Sequence, residues 1–429
     1  MTKGEIDKLG QRIGASKTVS GEDLDMLQAY RQTFQEPIAQ VYNFVLNAAR
    51  KVDKQCIVTY RIKRIDTIIE KMRRFQGNEK GRMALSRMWD IAGCRCILSV
   101  TSIDKLYQLL NLILDEYGHE SKINDHINPP KASGYRSLHV YVKDKVSQKP
   151  IEIQIRNREM HNWATLVEIV DLLYGTKHKE QGASGDLGRF LYLYSKASDL
   201  PKAEFSEMLM MERKMKVFEK MSEVLSGNYL NIRRQWLQQK NLGLFFVITA
   251  NKSRSEILSY HSFAEAEKAY YEKYLANRDS NIVLTHLRNP DFNQISMAYS
   301  NYVLAMHAFF DDYRVLVSRK IIECVQNNDY YHVYTDFRIY YDNLRSHIGN
   351  LTLEVRSIEA CSSDPTISKY QLNKWKNEIK ERMAMWRRET NDFIRILALS
   401  TSGSPIKKWL IRNRLNHMAK AINAGRQMK

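Results

Sequence analysis

In the stretch PIEIQIRN, positions 150–157, Ile151, Ile153 and Ile155 alternate with Glu152, Gln154 and Arg156. A period of two in β-branched residues predicts a strand with one buried face. The stretch from Ser137 repeats the pattern: Leu138, Val140 and Val142 alternate with His139 and Tyr141. A hairpin around 145–149 would pair the two strands and turn both apolar sets to one core. Their polar sets then share the opposite face, which brings Tyr135 and His139 near Glu152, Gln154 and Arg156.

Elsewhere the apolar spacing is mostly helical. Residues 22–52 carry Leu24, Leu27, Tyr30, Phe34, Ile38, Val41, Phe44 and Val45 near helical intervals, with Pro37 expected to kink or split the run. Residues 56–63 and 90–98 read as strands. RIDTIIEKMRRF reads as a helix between them. SIDKLYQLLNLILDEYG is an amphipathic helix closed by Gly118. The Pro-Pro and Ser-Gly steps of INPPKASGYRS mark a loop, and REMHNWATLVEIVDLLYG is a helix ending at Gly175. This order predicts one mixed sheet with helices on a single side. Asp90 and Arg95 have opposite parity on one strand, so both reach one site only if a bulge near Gly93 switches faces.

The polar, glycine-rich stretch 175–188 reads as a boundary. Residues 203–240 return to helix, 242–300 form a second small α/β pattern, and the chain beyond 300 reads as all-helical. The expected division is a first domain at 1–180, a helix plus small α/β domain at 181–310, and a basic helical region at 311–429.

Charge narrows the partners. The chain of 429 residues has a formal net charge of +18 and a pI near 9.5. Such an excess favours polyanions: nucleotides, RNA, DNA or acidic membrane surfaces. No acidic residue follows Asp392, while Arg395, Lys407, Lys408, Arg412, Arg414, Lys420, Arg426 and Lys429 do. The longest apolar run, LGLFFVITA at 242–250, is too short to span a bilayer, and the first residues lack the apolar core of a signal peptide. No membrane association is therefore expected. Five cysteines without a CxxC pair predict a reducing, cytoplasmic setting, with Cys94 and Cys96 in a core.

The cations Arg61, Lys63, Arg64, Lys71, Arg73 and Arg74 gather in sequence ahead of Asp90 and Glu152. Carboxylates suit Mg²⁺, lysine and arginine suit phosphate oxygens, and arginine can stack on a base. That is the composition of a magnesium–triphosphate site, in which catalysis is mostly positioning and charge stabilisation. A solvated outer sheet face and a solvated basic helix are the plainer alternatives.

Four segments, YRIKRIDTIIEKMRR, DIAGCRCI, INPPKASGYRSLH and IEIQIRNREMHNWA, resemble in that order the synthetase domain of the RelA/SpoT alarmone synthetases, over about residues 40–175. The resemblance implies an α+β chain: a nucleotidyltransferase-like mixed sheet with helices, followed by a mostly α-helical C-terminal half that holds a small α/β element. It implies a pyrophosphokinase that moves the β,γ-pyrophosphate of ATP to the 3′-hydroxyl of GDP or GTP to make (p)ppGpp, releasing AMP. Carried over by motif, Arg61 and Arg95 sandwich adenine, and Lys63 and Lys71 hold the ATP phosphates. Asp90 and Glu152 bind Mg²⁺, and Glu152 also activates the acceptor hydroxyl. Tyr135 stacks on guanine, while Lys131, Arg136, His139, Gln154 and Arg156 line the acceptor side. The chain contains no His-Asp dipeptide, so the hydrolase domain of long bifunctional relatives is expected to be absent. Two alternatives stay open. One is a toxic relative that modifies the tRNA 3′ end or adenine nucleotides, for which the basic end would bind tRNA or other RNA. The other is an inactive nucleotide-binding sensor, and self-association is a further option.

Overall fold

The computed structural model describes residues 1–76, 84–119, 121–176, 178, 184–197, 199–239, 241–250, 255–278, 281–303, 307–401 and 403–426. It resolves into two compact units. The first comprises 1–131, 135–165 and 241–303; the second comprises 132–134, 166–240 and 304–429. This division differs from the boundaries expected at 180 and 310. Residues 241–303 join the first unit instead of forming a domain with the helices before them. Part of the expected boundary at 175–188 lies outside the described residues.

The first unit is built on one sheet. Its strands are β1 (Ile57–Ile62), β2 (Ala92–Leu98), β3 (Lys122–Asp125), β4 (Leu138–Lys143), β5 (Pro150–Asn157), β6 (Phe245–Ala250), β7 (Glu256–Tyr260) and β8 (Asn281–His286). They lie in the order β3-β4-β5-β2-β1-β8-β6-β7. The β2–β5 pair is parallel and the other pairs are antiparallel. The β4–β5 hairpin sets His139 opposite Gln154 and Tyr141 opposite Glu152, as the alternation requires. Its isoleucines, with Leu138, Val140, Val142, Cys94 and Cys96, are buried.

The small α/β pattern after 242 is the continuation of this sheet. β8 lies against β1, and His286 stacks on Tyr60 at 4.6 Å between ring centroids. A pairing over more than two hundred residues leaves no local mark in sequence, because strand edges look alike whichever strand they meet.

Helices Gln35–Val52, Ile103–Tyr117 and Phe263–Ala276 pack their apolar stripes into the sheet's core. Pro37 falls in the first turn of Gln35–Val52, where a missing N–H is harmless, and the preceding helix Gly21–Gln32 ends before it. The helices are not confined to one side. Tyr299, between the short helices Phe292–Ala298 and Ser300–Val303, receives a hydrogen bond from Thr285 at 2.6 Å and lies 3.2 Å from the Thr59 hydroxyl. Both threonines are on the polar-parity face.

One buried ion pair ties segment 241–303 of this unit to segment 1–131. Arg31 and Glu267 meet at 2.6 Å with both side chains fully buried. Gln28 donates to the same carboxylate oxygen at 2.9 Å. Arg31 Nε donates to the carbonyl of Lys63 at 2.8 Å, its guanidinium lies over the Tyr270 ring, and the Tyr270 hydroxyl accepts from the Ile65 N–H at 3.1 Å.

The second unit is helical among its described residues: Gly185–Ser195, Lys202–Met215, Val217–Gln238, His307–Gln326, Tyr330–Cys361, Lys369–Ser400 and Pro405–Arg426. Among the described residues no helix is long and apolar enough to cross a membrane.

Removing one partner of a buried pair leaves an uncompensated charge, which destabilises by about 3–5 kcal/mol. Glu267→Ala should therefore lower unfolding free energy by that order in urea titration, and Glu267→Gln by less, because an acceptor remains for Arg31. A loss under about 1 kcal/mol for Glu267→Ala would show that the pair does not hold the unit together.

Candidate active site

The site lies on the polar face of the sheet. In β1, Thr59 and Arg61 share the parity of Arg95 and Gly93 on β2, and Gly93 pairs with Glu152 on β5. Arg61, Arg95, Glu152, Gln154, Arg156 and His139 therefore belong to one continuous surface.

Asp90 reaches this region without a bulge. The β1–β2 register runs unbroken from Ile57–Ile97 to Ile62–Ala92. Asp90 sits in the turn before β2 begins, so strand parity does not bind it. The expected switch near Gly93 is thus corrected. Gly93 has a different role: a Cβ there would stand 3.0 Å from the Glu152 carbonyl oxygen and 3.6 Å from its Cβ. Glycine keeps the strand close beside Glu152.

Lys63 and Lys71 each donate to one Asp90 oxygen, both at 2.7 Å. Burial alone would raise the Asp90 carboxyl, but the two ammonium groups outweigh it and bring its pKa down to about 2. Burial also pulls Lys63 below its ordinary value despite the attraction of Asp90. The result is one carboxylate between two cations, on a short turn and a helix.

Glu152 is held from both sides. His139 Nδ1 lies 2.8 Å from Oε1, and Gln154 Nε2 donates to Oε2 at 3.0 Å. The far nitrogen of His139 meets the Tyr135 hydroxyl at 2.7 Å, and Arg156 donates to that hydroxyl at 2.5 Å. Burial would raise Glu152; the hydrogen bond and charge of His139 reverse that, against an opposing push from Asp90. His139 is disfavoured as a cation by burial, yet its bond to Glu152 lifts it above its ordinary value. Tyr135 shows the same contest: burial raises it, but Arg156 and His139 bring it down to about 8. The Asp90 influence on Glu152 shows that the two carboxylates share one electrostatic neighbourhood.

The remaining residues of the motif fall differently. Lys131 lies 5.1 Å from the centre of the Tyr135 ring, and Arg156 5.0 Å from it. Arg136 follows Tyr135 but makes no described contact to the Glu152 network, and its buried Nε has no hydrogen bond among the described residues. Arg95 donates to the Ala298 carbonyl at 2.5 Å and lies 5.4 Å from the Tyr299 ring. His161 lies 2.8 Å from the neighbouring Met297 carbonyl. Strand alternation had put Tyr141 on this face, and its hydroxyl is linked to Glu152. Tyr299 had no local signal, since its contact with Arg95 spans two hundred residues.

Carboxylates, lysines and arginines share one sheet face with an aromatic ring among them, a set of groups suited to phosphate oxygens and a hard cation. Residues 60–179 match the model of the region found in RelA/SpoT proteins. A GTP pyrophosphokinase of Haemophilus influenzae is 31% identical over 142 residues, 33% of this chain and 18% of that protein. The GTP pyrophosphokinase YwaC of Bacillus subtilis is 33% identical over 116 residues, 25% of this chain and 53% of that protein. The chain thus spans about half or less of these relatives' lengths. Among solved structures, small alarmone synthetase 1 of B. subtilis bound to its product pppGpp is 27% identical, covering 42% of this chain and 92% of that one at a TM-score of 0.30. Residues 60–179, which hold most of the site, are thus similar to the region found in RelA/SpoT proteins.

The lowered Tyr135 value gives a direct test. One tyrosine should ionise near pH 8, seen as a step in absorbance at 295 nm that is absent in Tyr135→Phe. In Arg156→Gln the step should move to higher pH, because a cation that favours the phenolate is lost. Absence of any step below about pH 9 would remove this electrostatic account.

Proposed function

We propose that the chain transfers the β,γ-pyrophosphate of ATP to the 3′-hydroxyl of GDP or GTP. The observation that carries this reading is the Glu152 carboxylate, fixed by His139 and Gln154 beside the Lys63–Asp90–Lys71 cluster. The new bond joins the ribose 3′-oxygen to the β-phosphorus. The bond broken joins that phosphorus to the oxygen bridging the α-phosphate, and AMP leaves with this oxygen. The proton leaves the hydroxyl toward the Glu152–His139 pair.

A depressed carboxylate is a weak base but a good acceptor of the hydroxyl's hydrogen bond. That suffices where the transition state is loose and charge stabilisation dominates. Lys63 and Lys71 are long and flexible enough to turn from Asp90 to the phosphates of ATP. Arg61 and Arg95 are the candidates for its base, and Tyr135 with Lys131 and Arg156 for the acceptor. Occupation of Arg95 by a base means exchanging its contacts with Ala298 and Tyr299.

Asp90 and Glu152 supply hard oxygen donors of the kind Mg²⁺ takes. Among the described residues no group of three or more such ligands gathers, so the two fit an ion completed by phosphate and water oxygens. When bound, the metal would offset charge on the transferred group.

A second reading, with tRNA as acceptor, rests on the basic helix Pro405–Arg426, where Lys408, Arg412 and Lys420 are exposed. Incubation with Mg²⁺, γ-labelled ATP and either GDP, GTP or tRNA separates the two. Label on guanosine nucleotide with release of AMP supports the first reading; label on tRNA alone overturns it. Glu152→Gln should lower kcat by about 10²–10⁴ while ATP still binds. Turnover within about threefold of the parent would remove Glu152 from the chemistry.

A further inference from the structure

The two carboxylates of the site come from different parts of the first unit. Glu152 lies in β5, while Asp90 sits in the turn before β2. Lys63 and Lys71 engage Asp90, and His139 and Gln154 engage Glu152. Among the described residues neither set reaches the other carboxylate. If both acids are to act on one ion or one phosphate chain, their spacing must be set by a group that touches both arms.

Tyr141 does so. The β4–β5 register sets it opposite Glu152, and its hydroxyl donates to the Glu152 carboxylate. Its ring meets that of Trp89, the residue before Asp90, edge to face at 5.9 Å between centroids and 73° between planes. Tyr141 is itself held from the side of β3. Asn124 Nδ2 donates to its hydroxyl at 3.4 Å, and the ammonium group of Lys122, its register partner, lies 5.6 Å from the centre of its ring. Its chain neighbours Val140 and Val142 fill the core, so the core does not call for a tyrosine at this position. An ionised carboxylate offers about four lone-pair sites. His139, Gln154 and Tyr141 occupy three on Glu152, which leaves about one direction in which it can meet a cation or a hydroxyl.

We propose that Tyr141 is a positioning residue that fixes Glu152 relative to Asp90, through its hydroxyl on the one and its ring against Trp89 on the other. The links are in series: carboxylate, hydroxyl, ring, indole, backbone, carboxylate. A break at any of them frees one acid from the other. Removing a group that holds a metal ligand in place costs about 10–100-fold in affinity or activity. Because this rests on reading both carboxylates as parts of one transfer site, the first measurement is independent of turnover.

Mn²⁺, in place of Mg²⁺, is titrated against the full chain in the presence of α,β-methylene-ATP and followed by electron paramagnetic resonance. Tyr141→Phe removes the hydroxyl and keeps the ring; Trp89→Leu removes the ring contact and keeps the hydroxyl. Each should weaken Mn²⁺ binding by about tenfold or more. Links in series are non-additive, so the double variant should bind no worse than the weaker of the two single ones. Trp89→Phe, which returns a ring to the contact, should recover most of what Trp89→Leu loses. In labelled transfer, with whichever acceptor takes label, Tyr141→Phe should lower kcat by the same order and leave KM for ATP and acceptor within about threefold. Losses that add in the double variant are independent effects and overturn the bridge, as does Mn²⁺ binding unchanged in Tyr141→Phe. A parent chain that labels no acceptor overturns the reading of function, and the Mn²⁺ titration still decides on Tyr141.

Discussion

A guanidinium buried without its counter-charge would be too costly for this fold to keep, and Arg31 is buried completely. Its partner Glu267 comes from a helix more than two hundred residues later. Between them they fix the carbonyl of Lys63, and the Tyr270 ring beneath Arg31 takes the N–H of Ile65. The turn that presents Lys63 to Asp90 is therefore shaped by the helix 263–276, although no residue of that helix touches the site. The continuation of the sheet serves the same end from the other side: β8 closes the edge of β1, which carries Arg61.

How the sheet distributes charge follows from its alternation. Burying Ile151, Ile153 and Ile155 leaves Glu152, Gln154 and Arg156 only one direction to point. Antiparallel β4 adds His139, parallel β2 adds Arg95, and β1 adds Arg61. Each carboxylate on this surface already has its cations or donors: two ammonium groups for Asp90, an imidazole and an amide for Glu152. Such pairing keeps both acids ionised in a partly buried place. It also means that phosphate entering the site exchanges one set of ion pairs for another, instead of meeting bare charge.

That much was legible from sequence wherever the signal was periodic. The alternation at 138–142 and 150–157 predicts the strands, the hairpin and the shared polar face. The four motifs name the residues on it. Asp90 reads as the first residue of a strand that begins at Ala92, because a residue just outside a strand looks in sequence like one just inside it. The limits of the first unit were not legible, since the β1–β8 edge and the Arg31–Glu267 pair are long-range choices among chemically similar options. Tyr299 on Arg95 was hidden for the same reason.

The placement of β8 beside β1 also has a consequence in time. A ribosome delivers β1 to β5 early, then the helical segment 166–240, and only afterwards β6 to β8 and the helix carrying Glu267. Until residues 281–286 have emerged, β1 has an unpaired edge, and until residue 267 has emerged, Arg31 has no counter-charge. The nascent chain therefore carries every motif of the synthetase region long before it can assemble the unit that holds them. Completion of the site is deferred until the segment 166–240 of the other unit has already been made.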